Sequence, residues 1–186
     1  MHSRWIALAS FSLLPLILLA PTLHQCSDPG HLDDPERFAA EFEQAHDRVR
    51  AETDTHGRAP LAGLRWSAPL AASAQEVADR CRFEHSHGRY GENLYARPLP
   101  TSPSAVVRAW AGEVDDWSRV SNDQGECEPG KMCGHYTQIV WRETHSLGCA
   151  VARCDATASP FRNWDAWTLW VCHYDPPGNL RGRAPF

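Results

Sequence analysis

The residues of this chain with the widest chemistry are its seven cysteines and ten histidines. Their spacing excludes several arrangements. No two cysteines stand as Cys-x-x-Cys, so a thiolate zinc site has no local signature. No His-Glu-x-x-His segment is present to put two imidazoles and a base on one metal. No Gly-x-Ser-x-Gly elbow occurs, and serines such as Ser86 and Ser118 lack a nucleophile's setting. Asp115 and Asp116 beside Trp117 read as a solvated helix face. What remains is thiols that can oxidise in pairs and imidazoles scattered along the chain.

Thiol chemistry depends on compartment, and residues 1–25 bear on it. Met1–Arg4 carries one positive charge, and Trp5–Ala20 is apolar apart from two serines and Pro15. This is a signal peptide's charged start and apolar middle. The apolar run falls short of the roughly 20 residues that cross a bilayer, so no transmembrane segment is expected in the mature chain. In an exported chain an even set of cysteines reads as disulfides. Six lie between Cys81 and Cys172, the others being Cys127, Cys133, Cys149 and Cys154. Cys26 is left over, where a bacterial lipoprotein carries its acylated cysteine. Leu23 suits such a signal, whereas His24 and Gln25 stand where small residues are expected. Lipidation of Cys26, a free thiol in a tail, and removal with the leader all remain open.

The elements that would position these residues follow from periodicity. Residues 26–35 form a polar linker or mature N-terminal tail. Asp34 caps a helix with Pro35 in its first turn, and Phe38, Phe42, Ala45 and Val49 give it one apolar stripe. A second helix is expected over Trp66–Phe83, from Leu70, Ala74, Val77, Ala78 and Cys81 at helical spacing. A third is expected over Ser104–Val120, with Val106, Val107, Trp110, Val114 and Trp117 on one side. Arg82–Gly91 and Gly125–Gly134 read as loops. Tyr136–Trp141, Leu147–Arg153 and Ala166–Tyr174 read as strands. Helices first and strands last predict one α+β domain over residues 36–186, with an antiparallel sheet.

Net charge is -5, with no long block of one sign. A basic face for nucleic acid is therefore not expected. Most of the tryptophans read as core and cleft wall. Three of them, Trp164, Trp167 and Trp170, crowd one segment where an exposed ring could touch a glycan, lipid or protein.

Two segments carry a resemblance. Gly134-His135-Tyr136-Thr137-Gln138-Ile139-Val140-Trp141 resembles the first signature of the CAP superfamily (cysteine-rich secretory proteins, antigen 5, plant pathogenesis-related 1). Leu169-Trp170-Val171-Cys172-His173-Tyr174-Asp175-Pro176-Pro177-Gly178-Asn179-Leu180 resembles the second. Gly91-Glu92-Asn93-Leu94 is similar to the family's GENL segment, and His46-Asp47-Arg48-Val49-Arg50 to its HNxxR helix with Asp for Asn. Cys81-Arg82-Phe83-Glu84-His85-Ser86 resembles the plant-type Cys-x-x-x-His-Ser. The likeness runs from about Phe38 to Phe186.

The resemblance implies an α-β-α sandwich around a small central antiparallel sheet, stapled by Cys81–Cys154, Cys127–Cys133 and Cys149–Cys172. Bridges at these six leave no cysteine nucleophile among them. It also implies a cleft lined by His85, Glu92, Glu113 and His135, with the imidazoles as metal ligands and Glu92 or Glu113 as a base or as a support for a His. Neutral imidazole suits a divalent metal such as zinc. Two nitrogens hold a metal less firmly than the three ligands of catalytic zinc sites, and the four residues also suit a purely structural polar network. Three classes of function follow. The first is a secreted, non-enzymatic binding or effector module whose partner is an extracellular protein, lipid or glycan. The second is a metal-dependent hydrolase of peptidase type. The third is a lipid or sterol carrier. The chain would be extracellular, or held at the periplasmic or outer surface if Cys26 is acylated.

Overall fold

The computed structural model describes residues 34–118 and 126–186. The leader, Cys26 and nearly all of the 26–35 tail lie outside the described residues. Asp34 caps helix α1 (Pro35–Glu52): its Oδ1 accepts from Glu36 N and Arg37 N, both at 3.1 Å. The carboxylate thus satisfies two amides that the helix itself cannot. Phe38, Phe42 and Ala45 bury the helix's inner stripe.

Strand β1 (Arg65–Trp66) precedes helix α2 (Ala68–Ala78), which Ser67 caps. The expected helix over Trp66–Phe83 is therefore shorter at both ends. Trp66 is extended, and Cys81 takes φ 51°, outside the helical region. Strand β2 (Gly91–Arg97) has no counterpart in the sequence reading. Helix α3 (Pro103–Ala111) ends at Gly112, well before Val120. The chain then tightens into a 3-10 helix, Gly112–Asp116, which leaves Val114 exposed. Strands β3 (Trp117–Ser118) and β4 (Glu126–Cys127) form a short separate hairpin.

The segment expected as a strand over Tyr136–Trp141 is instead helix α4 (Gly134–Ile139). Tyr136, Thr137, Gln138 and Ile139 are all buried. A segment buried all round has no period to read, so a strand and a short helix look alike. Thr137 Oγ1 lies 3.1 Å from the Cys133 carbonyl, a placement open to threonine in a helix, and donates at 2.7 Å to Asn179 Oδ1.

Strands β5 (Ser146–Asp155) and β6 (Ala166–Asp175) complete a sheet of order β1-β5-β6-β2. The β5–β6 and β6–β2 pairs are antiparallel, and two-residue β1 joins β5 in parallel. Alternation along β6 builds both layers. Trp170, Cys172 and Tyr174 face the core formed with α1, α3 and α4. Leu169 and Val171 face the core under α2. Burial on both faces explains why β6 reads as a nearly unbroken apolar run. The result is an α-β-α sandwich.

Three disulfides tie its parts together. Cys149–Cys172 joins facing positions on β5 and β6, and Cys81–Cys154 fastens the chain after α2 to the end of β5. Cys127–Cys133 ties β4 to the start of α4. These are the pairs that the resemblance implies.

Two buried polar devices of α1 fix the layers. The Arg50 guanidinium donates to the carbonyls of Ala62 (2.6 Å), Ile139 (2.8 Å) and Trp141 (2.9 Å). Burial lowers its pKa to about 10, so it stays cationic at neutral pH. His46 donates from Nδ1 to Phe42 O at 2.8 Å, which leaves Nε2 to accept from the Tyr174 hydroxyl at 2.8 Å. Burial also holds His46 down, at about 4. Tyr174 in turn accepts from Asn93 Nδ2 at 3.2 Å, linking α1, β6 and β2 in one chain of bonds. Among the described residues no helix is long and apolar enough to cross a membrane.

Candidate functional site

The start of β2 organises the residues that could do chemistry. Glu92 and Asn93 alternate across the strand, so one short segment anchors two groups. The Glu92 side chain is 6% exposed and accepts from three donors. His85 Nδ1 and Ser86 N donate to Oε1 at 2.8 and 2.9 Å, and His173 Nε2 donates to Oε2 at 3.0 Å. Burial alone would push the Glu92 carboxyl up. The bonds from His173, Ser86 and His85 outweigh it and hold the group at about 2. His85 itself stands on the loop after α2 and is largely exposed.

The second group forms where the 3-10 helix meets α4. Cys133 supplies no side-chain cap to α4. Glu113 takes that role, its Oε2 accepting from His135 N at 2.9 Å and its Oε1 from His135 Nδ1 at 2.6 Å. A carboxylate at a helix start is stabilised by the free amides there. Trp110 stacks on the His135 ring at 6.0 Å. The neighbouring Asn93 donates to the His135 carbonyl at 3.1 Å, so the His46–Tyr174–Asn93 chain sets the position of α4.

The four residues implied by the resemblance thus stand as two pairs, His85·Glu92 and His135·Glu113. In both, the carboxylate accepts from Nδ1, which leaves Nε2 as the ring atom turned to other partners. Neither Nε2 has a hydrogen-bond partner among the described residues. A bare Nε2 backed by a carboxylate is the usual form of a metal-ligating histidine. Each pair offers the donor chemistry of a metal-ligating imidazole, so His85 and His135 are the residues that would hold a divalent cation. They do not fit a closed structural zinc site, which takes four protein ligands. Among the described residues no three His, Cys, Asp or Glu side chains converge as a ligand set.

Sequence reasoning missed His173. It lies inside the second signature and is 4% exposed, the buried partner of Glu92. A histidine in an otherwise apolar strand was the available signal. Its partner could not be read, because only the β2–β6 register puts Glu92 opposite His173. Of the three crowded tryptophans, Trp167 and Trp170 are core, while Trp164 is half-buried against Phe161 at 4.3 Å.

Comparison with known proteins agrees with this architecture. Pathogenesis-related protein 1A of Nicotiana tabacum is 35% identical over 181 residues, covering 95% of this chain and 97% of the relative. Pathogenesis-related protein PR-1 type of Sambucus nigra is 31% identical over 191 residues, covering 100% and 99%. Among solved structures, Schistosoma mansoni venom allergen-like protein 4 superposes with a TM-score of 0.59 at 24% identity, covering 80% of this chain and 92% of that one. NaASP2, solved with Zn2+, superposes at 0.58 and 22% identity, covering 80% and 84%. Residues 43–174 match the family described as CAP, the cysteine-rich secretory protein family, and the chain belongs to it.

Proposed function

We propose that this protein is an exported, extracellular binding module that presents a divalent metal on His85 and His135, and that it is not a hydrolase. One observation carries the reading: both candidate bases are already engaged in holding a histidine. Glu92 accepts from His85, Ser86 and His173, and Glu113 accepts from the ring and amide of His135. A general base needs a free lone pair and a pKa near the working pH. Glu92, held at about 2, lies far below that range. Both carboxylates instead orient an imidazole. A bound metal would supply positive charge and exchangeable coordination positions for a partner's oxygen. Export is supported by the leader pattern and by three disulfides, which persist in oxidising compartments. NaASP2 with Zn2+ lends support for the metal by analogy.

The test is zinc titration by calorimetry beside a His85→Ala/His135→Ala variant, followed by turnover assays on peptides, esters and glycans. Saturable one-site binding that the variant loses, without turnover, is expected. Binding unchanged in the variant would refute the metal site, and chelator-sensitive turnover would replace the module with a hydrolase. One feature favours lipid carriage as a second reading: a cavity of about 390 Å³ lined by Pro35, Phe38, Trp66, Ala71, Ala150 and Val151. Saturable displacement of a fluorescent fatty acid from the protein, weakened by Ala71→Asp, would favour that reading.

A further inference from the structure

A separate cavity opens beside α2 and reaches Ser86 and His173, two of Glu92's partners. Its volume is about 540 Å³, within the range of small-molecule pockets. Ser73, Arg80, Ser86, Arg89, Tyr90 and His173 supply its polar and aromatic lining, with Glu76 at the α2 wall. Two observations mark it as a built site. First, His173 Nδ1 is buried and meets no hydrogen-bond partner among the described residues. With Nε2 engaged by Glu92, Nδ1 is the ring atom left without a partner. Leaving such a buried atom unpaired is costly, and a ligand with a hydroxyl or amine proton removes the cost.

Second, two cations reach the cavity without a carboxylate partner. Arg89 donates to the Tyr90 hydroxyl and lies over its ring at 4.6 Å, and no ion pair engages Arg80 or Arg89 among the described residues. Tyr90 packs in turn on the His173 ring at 5.5 Å. The lining therefore offers two exposed cations, a buried unpartnered ring nitrogen, and the hydroxyls of Ser73 and Ser86. Guanidinium groups bind the oxygens of phosphate and sulfate strongly. The Glu76 carboxylate adds an acceptor for a further hydroxyl.

We propose that this cavity is a second binding site, for a small phosphate or sulfate ester of a polyol, with Arg80 and Arg89 taking the anion and His173 Nδ1 accepting from a ligand hydroxyl. The site uses neither His85 Nε2 nor His135, although Glu92 joins His173 to His85.

Calorimetry in the presence of EDTA with glucose 6-phosphate, glucose 6-sulfate, glucose and inorganic phosphate tests the inference, with the Nδ1 resonance of His173 followed by 15N NMR. One or both esters saturate a single site, and whichever binds more tightly identifies the natural anion. Arg80→Gln and Arg89→Gln each weaken the ester by about tenfold, the worth of a hydrogen bond to a charged group. Glucose alone binds far more weakly, and the His173 Nδ1 signal moves on ester binding. Both arginines are exposed, so neither substitution threatens folding. The inference is overturned if neither ester saturates, if both arginine variants bind as the parent does, or if inorganic phosphate binds as tightly as the esters with His173 unmoved.

Discussion

Replacing Glu92 by Gln tests the electrostatics of the site directly. The carboxylate accepts from His85 Nδ1, Ser86 N and His173 Nε2, all at 3.0 Å or less. An amide has one oxygen, so its NH2 group must face one of these donors. The carboxyl's ordinary value is 4.5, and in the fold it is held at about 2. At about 1.4 kcal/mol per tenfold, that difference corresponds to about 3 kcal/mol of stability from the charged form. The sign follows from a depressed folded-state value. The contribution is complete above pH 4.5 and is lost as pH falls toward 2, with about half gone at pH 3. Urea unfolding with disulfides intact and EDTA present, read by tryptophan fluorescence, measures it. The parent is expected to exceed Glu92→Gln by about 3 kcal/mol at pH 6 and by about half that at pH 3. A gap under about 1 kcal/mol at pH 6, or one equal at both pH values, would refute the assigned bonding.

Two further predictions concern the frame that holds the site. Arg50→Ala leaves the carbonyls of Ala62, Ile139 and Trp141 without their donor; the expected loss is about 3 kcal/mol after relief of the buried charge, and a urea midpoint equal to the parent's would contradict it. At Gly148 a Cβ would stand 2.1 Å from Ala71 N and 2.6 Å from Ser67 O, both backbone atoms. Gly148→Ala should therefore cost about 3 kcal/mol or more, whereas Gly112→Ala, with nothing within 4 Å, should change stability by less than about 1 kcal/mol; thermal unfolding of the two variants side by side decides it.

Much of the frame was legible because its signals are local. Asp34-Pro35 specifies a helix start within four residues, and the cap bonds form there. The runs at 147–153 and 166–174 are strands, each a short apolar run bounded by turn residues. The four residues His85, Glu92, Glu113 and His135 were legible only through the family pattern, since no spacing in the chain links them, and their pairing came from the fold.

Other features depend on contacts that no short window contains. Tyr136–Trp141 became a helix because α1, α3 and the sheet enclose it, which erases the period that would have distinguished it. Gly91–Arg97 is half polar, and its pairing with β6 makes it a strand. The 3-10 turn at Gly112 aims Glu113 at the start of α4 and strands Val114 in solvent, reversing what helical spacing implied. Local spacing determined the first helix and the two long strands, and the family resemblance implied the three disulfide pairs. The tertiary structure alone decided that Glu92 meets His173 across 81 residues, because register is set by packing both faces of the sheet at once.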